Sequence, residues 1–160
     1  MNNITVRRAL PEDYDVIGRL LFEISAQHRK GRPDLFSAAS TKYDRNAYLE
    51  LLRDEREIIF SACTNDGRVV GYMICKLIEQ NSNPVLCDIK TLYIDDLCVD
   101  SDFRACHVGQ HLMDAAEEYA RKIGCHNLTL NVWEFNESAR AFYDKLGYST
   151  QRRYMEKVLD

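Results

Sequence analysis

The chain predicts a single α/β domain built on a mixed, mostly antiparallel twisted sheet with helices on both faces. Three observations point there. Strand-like and helical periods alternate along the whole length; an Asp66-Gly67 step, the strongest short hairpin signal present, joins two β-rich runs; and the best amphipathic helix follows directly on a long strand-like run. With 160 residues one core suffices, and roughly two thirds of the surface of the unfolded chain can be buried. No linker or internal repeat divides the sequence, so one domain over residues 1–160 is expected.

The elements follow in order. "ITVRRA" (4–9) reads as a first strand. Pro11 suits a first helical turn, Glu12, Asp13 and Asp15 follow, and Val16, Ile17, Leu20, Leu21 and Ile24 recur at helical spacing, which predicts a helix over 11–29. "HRKGRPDLFSAASTK" carries turn residues at Gly31 and Pro33 without a period and is expected to be a loop; a short helix over about 44–54 comes next. "EIIFSACT" and "VVGYMICKLIE" form the hairpin arms, and "IKTLYIDDLCV" is a third long strand ending at Asp100 and Ser101. The helix "VGQHLMDAAEEYARKIG" aligns Val108, Leu112, Ala115, Ala116 and Tyr119 and stops at Gly124. "NLTLNVW" is a strand, Asn136 can cap a helix through "ESARAFYDKL" that ends at Gly147, and "STQRRYMEKVL" reads as a closing, alternating strand.

Composition excludes several classes of function. The chain is 46% hydrophobic and 29% charged with only three prolines and seven glycines, which excludes disorder and low complexity. A formal charge of −4 supplies no positive field for nucleic acid or anionic membrane surfaces. "MNNITVRRALPEDYD" has no apolar core of a signal peptide, and no stretch reaches the length of a membrane span, so a cytoplasmic protein is expected. The six cysteines show neither a C-x-x-C pair nor metal-type clustering. They are expected to be free thiols acting as small hydrophobes, and no metal is expected.

Residues 97–112 carry the chemistry. A strand, a tight loop and a helix start place free N–H groups and the positive end of a helix dipole at one spot, a ready site for an anion such as a pyrophosphate, with Arg104 adding a cation. "LCVDSDFRACHVGQHL" resembles the acetyl-CoA-binding motif of the Gcn5-related N-acetyltransferase (GNAT) family, V-x-x-x-x-R-G-x-G-x-G-x-x-L, through Val99, Arg104, Gly109 and Leu112. "NESARAFYDKLGY" is similar to the family's second motif through Asn136, Ala139, Phe142, Tyr143, Gly147 and Tyr148, and the two occur in the family's order and at its distance. The resemblance implies the GNAT fold along the whole chain and acetyl-CoA as co-substrate. It places cofactor contacts on Leu97, Cys98, Val99, Arg104, Ala105, Cys106, His107, Val108, Gly109, Gln110, Asn136 and Tyr143. Two glycines of the motif are Ala105 and His107 here. If residue 107 needs a positive φ, a histidine there weakens cofactor binding; otherwise its imidazole can donate to phosphate, or simply face solvent.

The family's reaction moves acetyl from a thioester to an amine, so the acceptor must lose a proton and the departing thiolate gains one. The resemblance makes Tyr143 the acid, with backbone N–H groups around Cys98 and Val99 holding the thioester carbonyl; a packed aromatic is the alternative for Tyr143. "YIDDLCVDSDFR" is similar to Y-L-E-D-F-F-V-M-S-D-Y-R of the spermidine/spermine acetyltransferases, whose glutamate, regarded as the base acting through water, falls on Asp95. On a regular strand Asp95 and Asp96 face opposite sides, so only one enters a given cleft unless a bulge intervenes. The alternative is that both fix local structure by pairing with Lys90, Arg104 or backbone amides. Asn131 stands where relatives that acetylate protein N-termini place a glutamate. In "QHRKGRPDLF", His28, Arg29, Lys30 and Arg32 can meet an anionic part of an acceptor or form a solvated face; Glu134 beside Trp133 suits a cationic one. The expected activity is acetylation of a primary amine on a small molecule such as a polyamine, amino acid, amino sugar or aminoglycoside. A protein or peptide acetyltransferase and a non-catalytic acyl-CoA-binding module are the alternatives. Dimers are frequent in the family, and the final strand is suited to pairing across a homodimer interface.

Overall fold

The computed structural model describes residues 3–38, 40–104 and 106–159. Five strands form one sheet in the order β1 (Thr5–Arg8), β2 (Glu57–Cys63), β3 (Val69–Gln80), β4 (Ile89–Val99) and β5 (Asn127–Leu130). The first three pairings are antiparallel and β4 with β5 is parallel. A parallel pair needs a long crossover, and α3 (Val108–Lys122) supplies it. The expected hairpin is present: Gly67, at φ 83°, donates to the Thr64 carbonyl between β2 and β3.

Helices α1 (Tyr14–Gly31) and α2 (Arg45–Arg53) cover one face of the sheet, where Ile17, Leu20, Leu21 and Tyr48 pack on Ile59, Tyr72, Ile74 and Cys98. Helix α3 covers the other face with Val108, Leu112, Met113 and Ala116 against Ile58, Phe60, Met73 and Leu92, and α4 (Glu137–Lys145) packs at its margin through Phe142 and Tyr143. Both faces being covered explains why β2 and the first part of β3 read as continuous apolar runs rather than alternating ones. Each side chain of this kind, fully buried, contributes about 1.5–3 kcal/mol.

The connection from β1 to α1 is organised by Asp13, a carboxylate only 3% exposed. It accepts from Arg7 Nη1 and Nη2 at 2.7 and 2.9 Å, from the Leu10 amide at 2.9 Å and from Ser61 Oγ at 2.7 Å. Burial alone would push this carboxyl up, but those four donors together hold it below the usual carboxylate value.

Three expectations need correction. Helix α1 runs on to Gly31 rather than ending at residue 29, so Lys30 joins His28 and Arg29 in its last turn, with basic side chains favourably placed at the negative end of the dipole. Strand β5 stops at Leu130 instead of continuing to Trp133. The closing strand is absent: residues 149–159 have no regular structure and are exposed, Tyr154 fully so. An alternating pattern forms a strand only against an edge that satisfies its backbone, and within this chain that segment's side-chain anchor is one exposed ion pair, Glu156 with Arg32 at 2.5 Å. Among the described residues, no helix is long and apolar enough to cross a membrane.

Candidate active site

The register of β3 on β4 shifts inside the acidic pair: Ile74 stands opposite Asp96, Cys75 opposite Ile94, and Asp95 is the extra, bulged residue. The side-chain phase confirms the shift. Leu92 and Ile94 enter the α3 core, yet beyond the bulge Leu97 and Val99 face that core and Cys98 enters the α1 core. The bulge therefore turns Asp95 to the same face as Asp96. One ammonium bridges them: Lys42, between α1 and α2, donates to Asp95 Oδ2 at 2.7 Å and Asp96 Oδ2 at 3.2 Å. Both carboxylates are largely buried, and Lys76 Nζ lies 3.4 Å from Asp95.

The partners expected for this pair are elsewhere. Lys90 donates to the Ile123 carbonyl at 3.0 Å and faces Glu79, while Arg104 is exposed with no ion pair among the described residues. Burial pushes the Asp96 carboxyl up even though Lys42 opposes it. Burial would lower the Lys42 ammonium, but the hydrogen bond to Asp95 and the charges of both aspartates raise it well above its usual value. His28 is lowered by burial, with Asp96 partly compensating. Two polar atoms beside this cluster are buried with no hydrogen-bond partner among the described residues, the Tyr72 hydroxyl and Glu57 Oε2. Tyr72 stands opposite Cys98 on β3, two residues from the Ile74–Asp96 pair.

The parallel pairing of β4 with β5 ends at Ile94 and Leu130, whereas β4 continues to Val99. From Asp95 to Val99 the strand therefore has a partner on its β3 side only, and this bare backbone edge can take an extended ligand arm as an added strand. Leu97, Cys98 and Val99 lie on it. The Cys98 side chain is buried in the α1 core and its thiol is pushed up to about 12 by burial, so its contribution to a ligand is through backbone.

After β4, a 3-10 turn (Ser101–Phe103), Arg104, Cys106 and His107 lead into α3; Ala105 lies outside the described residues. His107 has φ 57° and ψ 18°, and among the described residues it alone takes a positive φ without being glycine. The condition under which the histidine was expected to hinder is thus met, and a β-carbon stands where the family motif has none. The left-handed turn itself is kept, and at the α3 N-terminus that follows the amides of Val108, Gly109 and Gln110 have no backbone acceptor among the described residues. The Val108 side chain is wholly buried and Gln110 donates its amide to Asp114 at 2.7 Å. A β-carbon on Gly109 would stand 3.1 Å from the Phe142 ring, so glycine there lets α4 approach α3.

Helix α4 delivers the second motif. Asn136 is its N-cap, accepting from the Ala139 amide at 3.2 Å and from Ser138 Oγ at 3.1 Å through the same oxygen, which gives it a structural task. Tyr143 is half-buried, edge-on to Phe142 (centroids 5.2 Å apart) and to Tyr148 (5.8 Å). Burial, and next the charge of Asp96, push its hydroxyl up to about 12, so it is protonated near neutrality. Asp96 thus acts on Tyr143, His28 and Lys42 alike.

Sequence reasoning missed Lys42, Lys76, Glu57 and Tyr72. Lys42 sits in an aperiodic segment, and a long-range ion pair leaves no local pattern. The expected acceptor cations are largely engaged: Arg32 pairs with Asp34 at 2.7 Å and with Glu156, and Arg29 donates to the Phe36 carbonyl at 3.1 Å. Glu134 pairs with Arg140 at 2.9 Å. His28, Phe36, Trp133 and Phe135 instead form an aromatic wall, with neighbouring centroids 5.2–5.9 Å apart. Asn131 donates to the Tyr93 hydroxyl at 3.0 Å. No metal-binding cluster occurs among the described residues.

Comparison with known proteins sets the chain among N-acetyltransferases. The chain is 32% identical over 101 residues to the uncharacterized N-acetyltransferase MJ1207 of Methanocaldococcus jannaschii, a match spanning 63% of this chain and 43% of that protein, so less than half of that relative is represented. It is 28% identical over 145 residues to an uncharacterized N-acetyltransferase in the pepI 3′ region of Lactobacillus delbrueckii subsp. lactis, covering 85% and 81% of the two chains. The crystal structure of a tetramutant of the BH1408 protein from Bacillus halodurans superposes with a TM-score of 0.92 at 27% identity, over 97% of this chain and 99% of that one. The family model described as "Acetyltransferase (GNAT) family" matches residues 21–148. The chain belongs to the acetyltransferase (GNAT) family.

Proposed function

We propose that the protein transfers acetyl from acetyl-CoA to a primary amine of a small molecule by direct attack. One observation carries this reading: the bulge puts Asp95 and Asp96 on one face where β4 loses its β5 partner, so an acidic pair adjoins a bare strand edge, and the charge of Asp96 is felt at the Tyr143 hydroxyl. In this reading the backbone of Leu97 to Val99 holds the pantetheine arm and thioester carbonyl. Arg104, the backbone from Cys106 to Gln110 and the dipole of α3 take the pyrophosphate. Asp95 and Asp96 receive the acceptor as an ammonium, Asp96 takes its proton directly or through water, and Tyr143 protonates the departing sulfur. The aromatic wall of Trp133 and Phe36 suits the apolar body of a small cation. The absence of a carboxylate at Asn131 counts against the mechanism used on protein N-termini. The reading includes one catalytic domain over the whole chain, a cytoplasmic setting and a homodimer.

Calorimetric titration with acetyl-CoA, followed by thiol release with a panel of amines, tests the reading. Binding at one site per chain is expected, together with turnover of at least one small amine. Tyr143→Phe should lower kcat by about 10²-fold with unchanged acetyl-CoA affinity; an unchanged kcat would remove Tyr143 from the chemistry, and acetyl-CoA binding without turnover of any amine would favour a binding module. Because Asp96 must be ionised to act as a base and burial raises its carboxyl above the usual range, kcat/KM should rise with pH as it ionises. That limb should disappear in Asp96→Asn.

A further inference from the structure

We propose that Lys42 is itself an acetyl acceptor, so that the protein acetylates its own Lys42 when no external amine is present. This rests on the reading above, in which an amine held by Asp95 and Asp96 is the group acetylated. Lys42 already meets that description. Its Nζ is 2.7 Å from one carboxylate and 3.2 Å from the other, the arrangement a bound acceptor ammonium would adopt. Among the described lysines it alone contacts both. Lys76 reaches Asp95 at 3.4 Å but stands on β3 and also faces Glu57 at 3.9 Å, and Lys90 points to Ile123 and Glu79.

Access agrees with this placement, and because the two carboxylates hold the ammonium in its charged form, removal of its proton must precede attack. Lys42 lies outside any helix or strand, and its side chain is 43% exposed. The Tyr72 hydroxyl and Glu57 Oε2, which have no hydrogen-bond partner among the described residues, add polar surroundings to the same cluster. In the reaction the Lys42 ammonium gives one proton to Asp96 and from there to solvent. The free Nζ forms a bond to the thioester carbonyl carbon and the carbon–sulfur bond breaks. The second nitrogen proton is released to solvent as the thiolate takes one from Tyr143, which is reprotonated in turn. The products are acetyl-Lys42, free coenzyme A thiol and one net proton. Acetylation removes the positive charge that occupies the acidic pair and leaves both aspartates to an incoming cation.

The experiment is intact-mass and peptide-mapping mass spectrometry of the full chain incubated with acetyl-CoA alone, run beside the thiol-release assay with added amines. One acetyl group is expected, on Lys42, formed about 10²-fold more slowly in Tyr143→Phe and lost in Lys42→Arg while other lysines are unchanged. Labelling of Lys42 no faster than that of exposed lysines such as Lys122 and Lys145, or equally fast in Tyr143→Phe, is uncatalysed chemistry and overturns the proposal. An unlabelled Lys42 in protein that acetylates an added amine overturns it and leaves the proposed function standing. No labelling and no turnover of any amine overturns both.

Discussion

Asp95 and Asp96 are adjacent in sequence, and a regular strand would send them to opposite faces. What the sequence could not convey is the bulge that brings them together, because the shift becomes visible only when Ile74 and Cys75 on β3 define the pairing. Lys42 was illegible for the same reason, its partner lying more than fifty residues away. His107 was legible as a departure from a glycine pattern, and the structure gives the departure a physical form, a β-carbon at φ 57°. Histidine enters the left-handed region more readily than most residues but still pays a steric cost. His107→Gly relieves that cost and adds freedom to the unfolded chain, leaving a net gain of about 0.5–1 kcal/mol. Thermal unfolding should show a midpoint roughly 1–4 °C higher. An unchanged or lower midpoint would mean that the imidazole makes a compensating contact.

At the scale of elements, most of the architecture was written in local pattern. The helical stripe of α3, the Asp66-Gly67 hairpin and the Asn136 cap all report short-range physics and all occur where expected. The failures lie where tertiary contact decides, as at the end of α1. A β-carbon on Gly31 would run into the Phe135 ring, so this glycine marks close packing as well as a helix end. The junction of β1, α1 and β2 depends on Asp13 in a similarly non-local way. Asp13→Ala would leave Ser61 Oγ and the Leu10 amide without their acceptor and Arg7 with only the Arg8 carbonyl, at a cost of about 3 kcal/mol, the scale for breaking a buried charged network. The unfolding midpoint should drop by roughly 6–12 °C. The pH dependence follows from the lowered carboxyl: its stabilisation is fully present above the unfolded value of 3.8 and is lost as pH falls through the lower folded value. The gap between parent and variant, measured by urea denaturation, should therefore be constant near neutrality and close progressively in acid. A gap that persists unchanged well below the folded value would assign the loss to packing rather than charge.

At the scale of the whole molecule, the sheet leaves one unresolved demand. Strand β5 is four residues long, is paired on its β4 side, and forms an edge of the sheet. Open edges recruit strands. The segment that read as a closing strand carries Tyr154, Met155, Val158 and Leu159 at 72–101% exposure, tied to Arg32, just past the end of α1, by a partly exposed ion pair of small expected worth. An alternating pattern beside a sheet with an unfilled edge leads to the expectation that two copies exchange the segment, each tail adding to the β5 of the other. Light scattering during size-exclusion chromatography should give a dimer mass for the full chain and a monomer mass after removal of residues 151–160. Acetyl-CoA binding should survive the truncation, since β4, the His107 turn and Tyr143 all precede it. A full-length monomer would mean that the tail folds back on its own β5, and a truncated dimer would move the interface elsewhere on the surface.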